Sequence, residues 1–392
     1  MARILFLSHR VPYPPNKGDK IRSFNEIRYL SRKHEIHLLA FCDNPEEMQY
    51  REVLKELCKT VELIPLSRWR QCLHAGFAML RGRPWSLGYF SSSRMQRAVT
   101  GALGNRSFDL IFVYCSSMAP YALEARIPRI LDFVDSDSLK WKQYSESRPA
   151  PLNWLFGYEA RKLSRFELNM VDAFDHTFFV SRLEVEGRLT KDLESKVSFM
   201  QNGIDLEFFT PPSTKSEALA VAFTGAMDYY PNIDAALFFA HDIFPRIRSV
   251  YSNASFLIIG SNPGAEIQKL ASVPGITVTG TVKDIRPYLA QCRAAVVPLR
   301  IAQGIQNKIL EALASGLPVI TTPVAAGALV SADALPITVA SSPDEFARAA
   351  LECLGKAPLP SAAVQACRKH LRLYYDWETN LSALDEVVER IA

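Results

Sequence analysis

The sequence predicts an α/β protein built from two doubly wound parallel sheets that face each other across a cleft. Short apolar runs alternate with helical patterns along all 392 residues. Near-continuous apolar strands separated by helices are typical of parallel sheets that helices cover on both faces. A chain of this length exceeds what one ordinary core accommodates, which favours two domains.

Thirteen runs have strand character. Seven lie in the first half of the chain: Arg3–Ser8, Glu35–Phe41, Val61–Pro65, Asp109–Val113, Arg129–Phe133, His176–Val180 and Val197–Met200. Six lie in the second half: Leu219–Thr224, Ser255–Gly260, Ile276–Gly280, Ala294–Leu299, Pro318–Thr321 and Ile337–Val339. Between the two sets, residues 201–217 ("QNGIDLEFFTPPSTKSE") contain a turn and a polar linker without helical or strand periodicity. We therefore predict domains at 1–205 and 206–375, and a helix at 376–392 that returns to the first domain.

The composition is that of a soluble globular protein, with 48% hydrophobic and 22% charged residues. No apolar run approaches the ~20 residues that span a bilayer, and the apolar N-terminus is interpreted as a first strand. Seven cysteines without metal-like or redox-like spacing fit a reducing cytoplasm. A dinucleotide dehydrogenase is disfavoured, because no Gly-x-Gly-x-x-Gly follows a strand.

Charge is distributed unevenly along the chain. Residues 1–200 hold 30 basic and 23 acidic side chains, whereas residues 201–392 hold 15 and 18. Residues 51–100 alone hold 9 basic and 3 acidic side chains. This asymmetry indicates that the N-terminal half meets an anionic partner, such as a phospholipid surface or a lipid diphosphate.

The segment "GIQNKILEALASGLPVI" carries only two charged side chains, Lys308 and Glu311. A helix is predicted from about Ile305, at the carboxyl end of a parallel strand, where unpaired N–H groups and the helix dipole attract phosphate. Lys308 in its first turn and Arg300 in the preceding loop add positive charge, and an ionised Glu311 can accept two hydrogen bonds from a ribose diol. The alternative is a surface ion pair that contributes only ~0.3–0.5 kcal/mol.

The longer run "QGIQNKILEALASGLPVI" resembles the donor-site signature of the GT-B glycosyltransferases of family 4. The segments "QNGIDLEFF" and "FTGAMDYYPNIDA" resemble the end of the N-terminal domain and the glycine loop of the donor domain in that family. The resemblance implies that Glu311 holds the ribose of a nucleotide sugar and that Gln303, which stands in place of an acid, contacts the sugar. It also assigns three small or apolar positions to the donor site: Gly225, Gly304 and Ile305. Relatives bind the diphosphate with an Arg and a Lys in the glycine loop; this chain lacks both, which shifts that role to Lys308 and Arg300.

The loop "SHRVPYPPNKGDKIRS", residues 8–23, follows the first predicted strand and leads into a helix. Gly18 lies at the start of this helix, with Asp19 as its predicted N-cap. The resemblance implies that Gly18 borders the acceptor and the diphosphate, although a turn explains a glycine there equally well. The neighbouring basic side chains either meet an anionic acceptor or are solvated: Lys17, Lys20 and Arg22.

The segment "LDFVDSDSLKW" places Asp132, Asp135 and Asp137 after a predicted strand. In the family a His of this region contacts the transferred sugar, and Asp135 occupies the approximate position here. Aspartates spaced by two also cap helices, and for Asp137 a capping or turn role is the alternative.

Residues 67–85, "SRWRQCLHAGFAMLRGRPW", place apolar side chains at helical spacing between arginines. A basic amphipathic helix that contains Trp can lie in an anionic membrane interface. The alternative is a helix that packs its apolar face on the domain core.

Four of these motifs together resemble the bacterial sugar transferases associated with exosortase/PEP-CTERM exopolysaccharide loci. The resemblance implies a retaining glycosyltransferase of hexosyltransferase type that moves a sugar from a nucleotide-diphosphate sugar to a lipid-linked or oligosaccharide acceptor. It implies no required metal or cofactor and no nucleic-acid partner. We expect a cytoplasmic protein, at the inner face of the plasma membrane if residues 67–85 bind lipid. Two alternatives stay open: a GT-B nucleotide-sugar epimerase or hydrolase, and a non-catalytic membrane-associated GT-B scaffold.

Overall fold

Buried aliphatic and aromatic runs form two parallel sheets in the computed structural model, which describes residues 1–181, 190–213 and 216–392. The strands of the first sheet are β1 Arg3–Ser8, β2 Glu35–Cys42, β3 Thr60–Pro65, β4 Leu110–Tyr114, β5 Arg129–Val134, β6 His176–Phe179 and β7 Val197–Phe199. Those of the second are β8 Ala220–Thr224, β9 Ser255–Ile259, β10 Ile276–Val278, β11 Ala294–Val297, β12 Val319–Thr321 and β13 Ile337–Val339. The predicted fold class of two parallel-sheet α/β domains is confirmed, and each predicted strand is present within two residues at either end.

Helices connect these strands. In the first half of the chain they are α1 Gly18–Leu30, α2 Arg51–Leu54, α3 Arg68–Leu80, α4 Trp85–Tyr89, α5 Ser93–Asn105, α6 Asp137–Ser147, α7 Leu152–Ala173 and α8 Lys191–Glu194. In the second half they are α9 Tyr230–Phe238, α10 Phe244–Val250, α11 Ala265–Lys269, α12 Arg286–Leu289, α13 Asn307–Ala314, α14 Pro323–Ala326, α15 Pro343–Gly355, α16 Ser361–Tyr374 and α17 Trp377–Ile391. Residues 180–189, "VSRLEVEGRL", match in sequence a strand that leads into a helix, but most of this segment lies outside the described residues. None of the helices in the described ranges is long and apolar enough to cross a membrane.

The order of the strands indicates which edge of each sheet is expected to bind a ligand. The first sheet runs β3-β2-β1-β4-β5-β6-β7 and the second runs β10-β9-β8-β11-β12-β13. The chain order reverses between β1 and β4 and again between β8 and β11. Ligands of open α/β sheets bind at the carboxyl ends of the strands beside such a reversal. A ligand-binding or catalytic site is therefore expected beside each of the two reversals.

The chain forms two compact units. One comprises Met1–Gln201 together with Asn380–Ala392, and the other comprises Asn202–Thr379. Most of α17 thus belongs to the N-terminal unit. There the Asp385 carboxylate accepts hydrogen bonds from the Tyr29 hydroxyl (2.8 Å) and from Lys33 Nζ (2.5 Å).

Two basic residues of the 8–23 loop and helix are buried ion-pair partners rather than solvated groups or ligands for an anion. Arg22 has no exposed surface, and its guanidinium donates to both oxygens of Asp132, at 2.5 and 3.0 Å. Lys20 is 4% exposed and its Nζ lies 2.6 Å from Glu47 Oε1. Both interpretations weighed for these two side chains are therefore wrong, because each buried cation already neutralises a carboxylate, that of Asp132 or that of Glu47. Asp132 itself lies within β5 and not beyond its end.

The apolar face of α3 is exposed, so the alternative that this face packs on the domain core is wrong. Gln71 is the one residue of α3 that is buried. On its covered side α3 packs against α4, where a Cβ on Gly88 would lie 2.4 Å from the Ala78 side chain. The large apolar residues point elsewhere and stay exposed: Trp69, Leu73, Phe77, Met79 and Leu80.

Candidate functional site

The carboxyl end of the second sheet brings together the polar residues that the sequence singled out in the C-terminal half. Gly225 directly follows β8, and the loop after β11 leads into α13. Because β8 and β11 are neighbours at the reversal of strand order, these two connections lie side by side. This edge is where an open α/β sheet binds ligands.

Lys308, in the first turn of α13, occupies this edge. Its Nζ donates a hydrogen bond to Asn232 Oδ1 at 2.5 Å and lies 4.5 Å from the centroid of the Phe223 ring. The Asn232 amide in turn donates to the Ala226 carbonyl at 2.9 Å, so it ties the ammonium group to the glycine loop after β8. Lys308 is thus a positioned cation rather than a mobile surface charge.

Two glycines allow this close packing. A Cβ on Gly225 would lie 2.7 Å from Asn232 Nδ2 and 3.0 Å from Lys308 Nζ. A Cβ on Gly260, which follows β9, would lie 1.7 Å from the Gly225 carbonyl oxygen. Side chains at either position would displace the loop that meets Lys308, so glycine is required at both.

Burial shifts the protonation of both charged residues of α13. It lowers the pKa of Lys308 to about 7, although the nearby Glu311 carboxylate raises it. Burial likewise raises the pKa of Glu311 to about 7, and the Lys308 charge opposes this shift. No carboxylate of the described residues lies within 4.0 Å of Lys308 Nζ, so the alternative of a plain surface ion pair is wrong. Two titratable groups, here Lys308 and Glu311, that are both desolvated and yet form no salt bridge with each other are typical of functional sites.

The loop before α13 has a specific backbone shape. Gly304 has φ of +57°, in the left-handed region that favours glycine, and Gln306 Nε2 donates to the Gln303 carbonyl at 2.8 Å. These features delay the helix, which begins at Asn307 and not at the predicted Ile305. Ile305 is 6% exposed, so its side chain is buried rather than open to a ligand. The side-chain amide nitrogen of Asn307, the first residue of α13, is buried with no hydrogen-bond partner in the described part of the chain, so it is available as a donor.

Arg300 lies in the same loop but has a partner. Its Nε donates to Asp234 Oδ2 at 2.8 Å, and its guanidinium stacks over the Phe238 ring at 4.9 Å. The hydrogen bond from Arg300 to Asp234 raises the pKa of the guanidinium further above its usual range. Arg300 therefore offers a ligand less net charge than Lys308 does.

The N-terminal unit has a second polar edge, at the ends of β4 and β5. Two non-glycine residues there have positive φ, Cys115 (+79°) and Val134 (+66°), and such strain in a β-branched residue is characteristic of functional sites. Asp135 follows Val134, and burial raises its pKa to about 6, against the opposing charges of Lys140 and Arg22. Across residues 1–181, 190–213 and 216–392, no group of three or more His, Cys, Asp or Glu side chains is arranged to hold a metal ion.

Asp137 and Asp19 have roles that differ in detail from those predicted. α6 begins at Asp137, and its N-cap residue is Ser136; Asp137 accepts a hydrogen bond from Ser116 Oγ at 2.8 Å. α1 begins at Gly18, with Lys17 as N-cap residue, so Asp19 is not the cap.

The Asp19 carboxylate instead serves the loop after β1. It lies 3.4 Å from His9 Nε2 and accepts a hydrogen bond from Arg10 at 3.0 Å. Burial raises the pKa of Asp19, but the hydrogen bond from His9 and the charge of Arg10 outweigh it and hold the pKa well below its usual range.

Sequence reasoning missed three residues that the structure brings to these edges: Asn232, Phe223 and His9. Asn232 was detectable, because it lies in the first turn of the helix that follows the glycine loop after β8. In the sequence, nothing distinguishes Phe223 from other strand residues or His9 from other loop residues. Only the three-dimensional contacts, with Lys308 and Asp19 respectively, distinguish them.

Residues 218–356 match the family model described as "Glycosyl transferases group 1". A search among curated proteins found no match. Solved structures that cover the whole chain include Anabaena HepE in complex with UDP and glucose (TM-score 0.68, 14% identity, 100% of both chains). They also include sucrose-phosphate synthase from Thermosynechococcus elongatus (TM-score 0.68, 14% identity, 100% of this chain and 99% of that chain). A third, which covers nearly the whole chain, is S. aureus TarM (TM-score 0.67, 8% identity, 99% of both chains). The fold is GT-B, and the family match within the C-terminal unit makes the protein a glycosyltransferase.

Proposed function

We propose that this GT-B glycosyltransferase belongs to the retaining family 4 type and moves a hexose from a nucleotide-diphosphate sugar to a lipid-linked glycan. The proposed setting is bacterial exopolysaccharide synthesis at the inner face of the plasma membrane, which the motif resemblance supports. The nucleotide-sugar donor is supported further by the UDP and UDP-sugar complexes of Anabaena HepE. The proposal requires neither a cofactor nor a metal.

In the proposed reaction the bond between the sugar C1 and the diphosphate breaks while a bond from the acceptor oxygen to C1 forms on the same face. The acceptor proton goes to an oxygen of the leaving diphosphate. The protein positions the reactants and stabilises the negative charge that develops on the leaving group. Lys308 supplies the positive charge, Arg300 assists, and Glu311 accepts hydrogen bonds from the ribose. Gln303, Gly304, Ile305 and Gly225 line the donor, while Gly18 and Asp135 belong to the acceptor side.

The observation that carries this proposal is the Lys308 ammonium group held by Asn232 at the β8/β11 reversal. A screen of UDP-, GDP- and ADP-sugars, with and without lipid-linked glycan acceptors, tests it by product analysis. The proposal predicts a sugar–acceptor product and release of nucleoside diphosphate. If the donor is epimerised or hydrolysed to the same extent with and without an acceptor, the result would support the epimerase or hydrolase instead. Calorimetry that detects no nucleoside diphosphate binding would support the non-catalytic scaffold.

The affinity for UDP should fall as the pH rises above 7. Only protonated Lys308 attracts the diphosphate, and its pKa in the free protein is about 7. The bound diphosphate raises this pKa, so between the two values binding takes up a proton and weakens by up to about tenfold per pH unit. Isothermal titration calorimetry from pH 7 to about pH 9 measures this directly.

The matched control for this pH dependence is Lys308→Arg, because a guanidinium stays protonated throughout the range. Its UDP affinity should not decline between pH 7 and about pH 9. A flat profile for the unchanged protein, or the same decline in both proteins, would contradict the assignment of Lys308.

A further inference from the structure

We propose that the exposed face of α3, together with the arginines at its two ends, binds the surface of an anionic lipid bilayer. This inference rests on the proposed function in one respect: a lipid-linked acceptor requires the enzyme to work at a membrane. The surface is hereafter the α3 surface. It is defined by Trp69, Leu73, Phe77, Leu80, Arg68, Arg70, Arg81 and Arg83.

The first observation is the exposure of large apolar side chains along one stripe of a helix. Trp69, Leu73, Phe77 and Leu80 recur at intervals of three and four residues, and their exposed fractions are 63%, 53%, 57% and 83%. Soluble proteins scatter single apolar residues over their surface but rarely align four of this size. An aqueous surface gives no reason for this alignment, whereas a bilayer interface does.

The second observation is charge. Residues 63–108 contain seven arginines and no Asp, Glu or Lys. The four arginines of the α3 surface are all exposed, and Arg70 stacks on Trp69 with its Cζ 5.1 Å from the ring centroid. An apolar stripe with only positive charge at its ends matches a surface whose interior is apolar and whose headgroups are anionic.

The third observation concerns the neighbouring helix. Gly82 follows α3, and a Cβ there would lie 3.7 Å from the hydroxyl of Tyr158 and 3.9 Å from Nζ of Lys162, both on α7. One turn before Tyr158 on the same helix, Trp154 is 72% exposed. Beside the C-terminal end of α3, the helix α7 thus carries another exposed Trp and another cation, the types of side chain that an interfacial patch contains.

The α3 surface is held rigidly although it is exposed. The carboxylate of Glu159 on α7 accepts hydrogen bonds from the backbone N–H groups of Trp85 and Ser86, at 3.0 and 2.9 Å, and so fixes the start of α4. The rings of Trp85 and Trp141 pack edge to face at 5.2 Å. Because α4 packs closely on the covered side of α3, substitutions on the exposed side leave this framework intact.

The test is co-sedimentation of the full chain with vesicles of phosphatidylcholine alone or of phosphatidylcholine and phosphatidylglycerol in equal parts. We expect binding to the anionic vesicles, weakened by salt, and little binding to phosphatidylcholine alone. The double variant Arg81→Gln/Arg83→Gln should bind roughly 30-fold more weakly, which corresponds to about 1 kcal/mol per arginine. Trp69→Ser/Phe77→Ser should reduce binding at least as much, and it should also remove the blue shift of Trp fluorescence that insertion produces.

Matched controls come from exposed residues of the C-terminal unit. Val250→Ser/Leu373→Ser removes apolar side chains that are 61% and 64% exposed, and Lys369→Gln/Arg372→Gln removes two exposed cations. Both should bind vesicles like the unchanged protein. Equal loss in controls and α3 variants, no binding to anionic vesicles, or an α3-dependent dimer that does not bind lipid would each overturn the proposal. Calorimetric binding of UDP, measured in parallel, reports on the proposed function separately.

Discussion

Lys308→Ala should lower kcat/KM for sugar transfer by about 10²–10³-fold, the loss that follows removal of one group that stabilises developing negative charge. Arg300, the other basic residue assigned to this site, does not replace the Lys308 ammonium group, because it is already paired with Asp234. The fold should survive, since alanine has the highest helix propensity and the Lys308 side chain is only partly buried. Steady-state kinetics with the donor and acceptor identified by the screen measure the effect, and circular dichroism checks the fold.

The matched control is Lys269→Ala, which removes an exposed lysine from the last turn of α11 in the same unit. It should leave transfer unchanged. Turnover that persists in Lys308→Ala at more than about a tenth of the original rate would exclude the proposed role of Lys308 in stabilising the leaving group.

Gly260→Ala should weaken donor binding although it replaces no charged residue. The added methyl group would lie 1.7 Å from the Gly225 carbonyl oxygen, a backbone atom that must move to accommodate it. Because Gly225 packs directly against Asn232 and Lys308, the displacement reaches the ammonium group. We expect the free energy of unfolding to fall by about 1–3 kcal/mol, as for other overpacked cores, and UDP affinity to fall by about tenfold or more. Urea denaturation and calorimetry measure the two effects.

Gly264→Ala provides the control within the same loop. Nothing lies within 4 Å of a Cβ at Gly264, and its φ of −69° suits any residue. Its stability and UDP affinity should match those of the unchanged protein. If Gly260→Ala and Gly264→Ala behave alike, the close approach of Gly260 to Gly225 has no role in donor binding.

The sheets were predictable because parallel strands are buried on both faces and therefore appear as continuous apolar runs. β4 is an example, since all five residues of Leu110–Tyr114 are buried. Strand ends were less accurate; β11 ends at Val297 rather than Leu299, where the chain turns into the loop before α13.

The partners of charged residues were much less predictable. Arg22 and Asp132 are 110 residues apart in the chain, so no local pattern indicates that they pair. The same holds for Lys308 and Asn232, which are 76 residues apart. Short-range signals located Lys308 at the start of a helix, but only the neighbouring strands β8 and β11 bring it to the glycine loop.

The exposure of the apolar face of α3 could not be predicted from the sequence either. Its periodicity indicated an amphipathic helix, but periodicity is the same whether the apolar face meets a core or a bilayer. The answer depended on Gly88, whose small size lets α4 cover the other side of the helix.

The central claim is that the diphosphate of the donor binds at the start of α13, beside Lys308. A crystal structure of the protein with UDP or GDP tests it most directly. The account predicts phosphate oxygens within hydrogen-bonding distance of Lys308 Nζ and of backbone N–H groups of residues 304–308, with the ribose hydroxyls on the Glu311 carboxylate. A nucleotide bound elsewhere, with its phosphates away from Lys308, would contradict it.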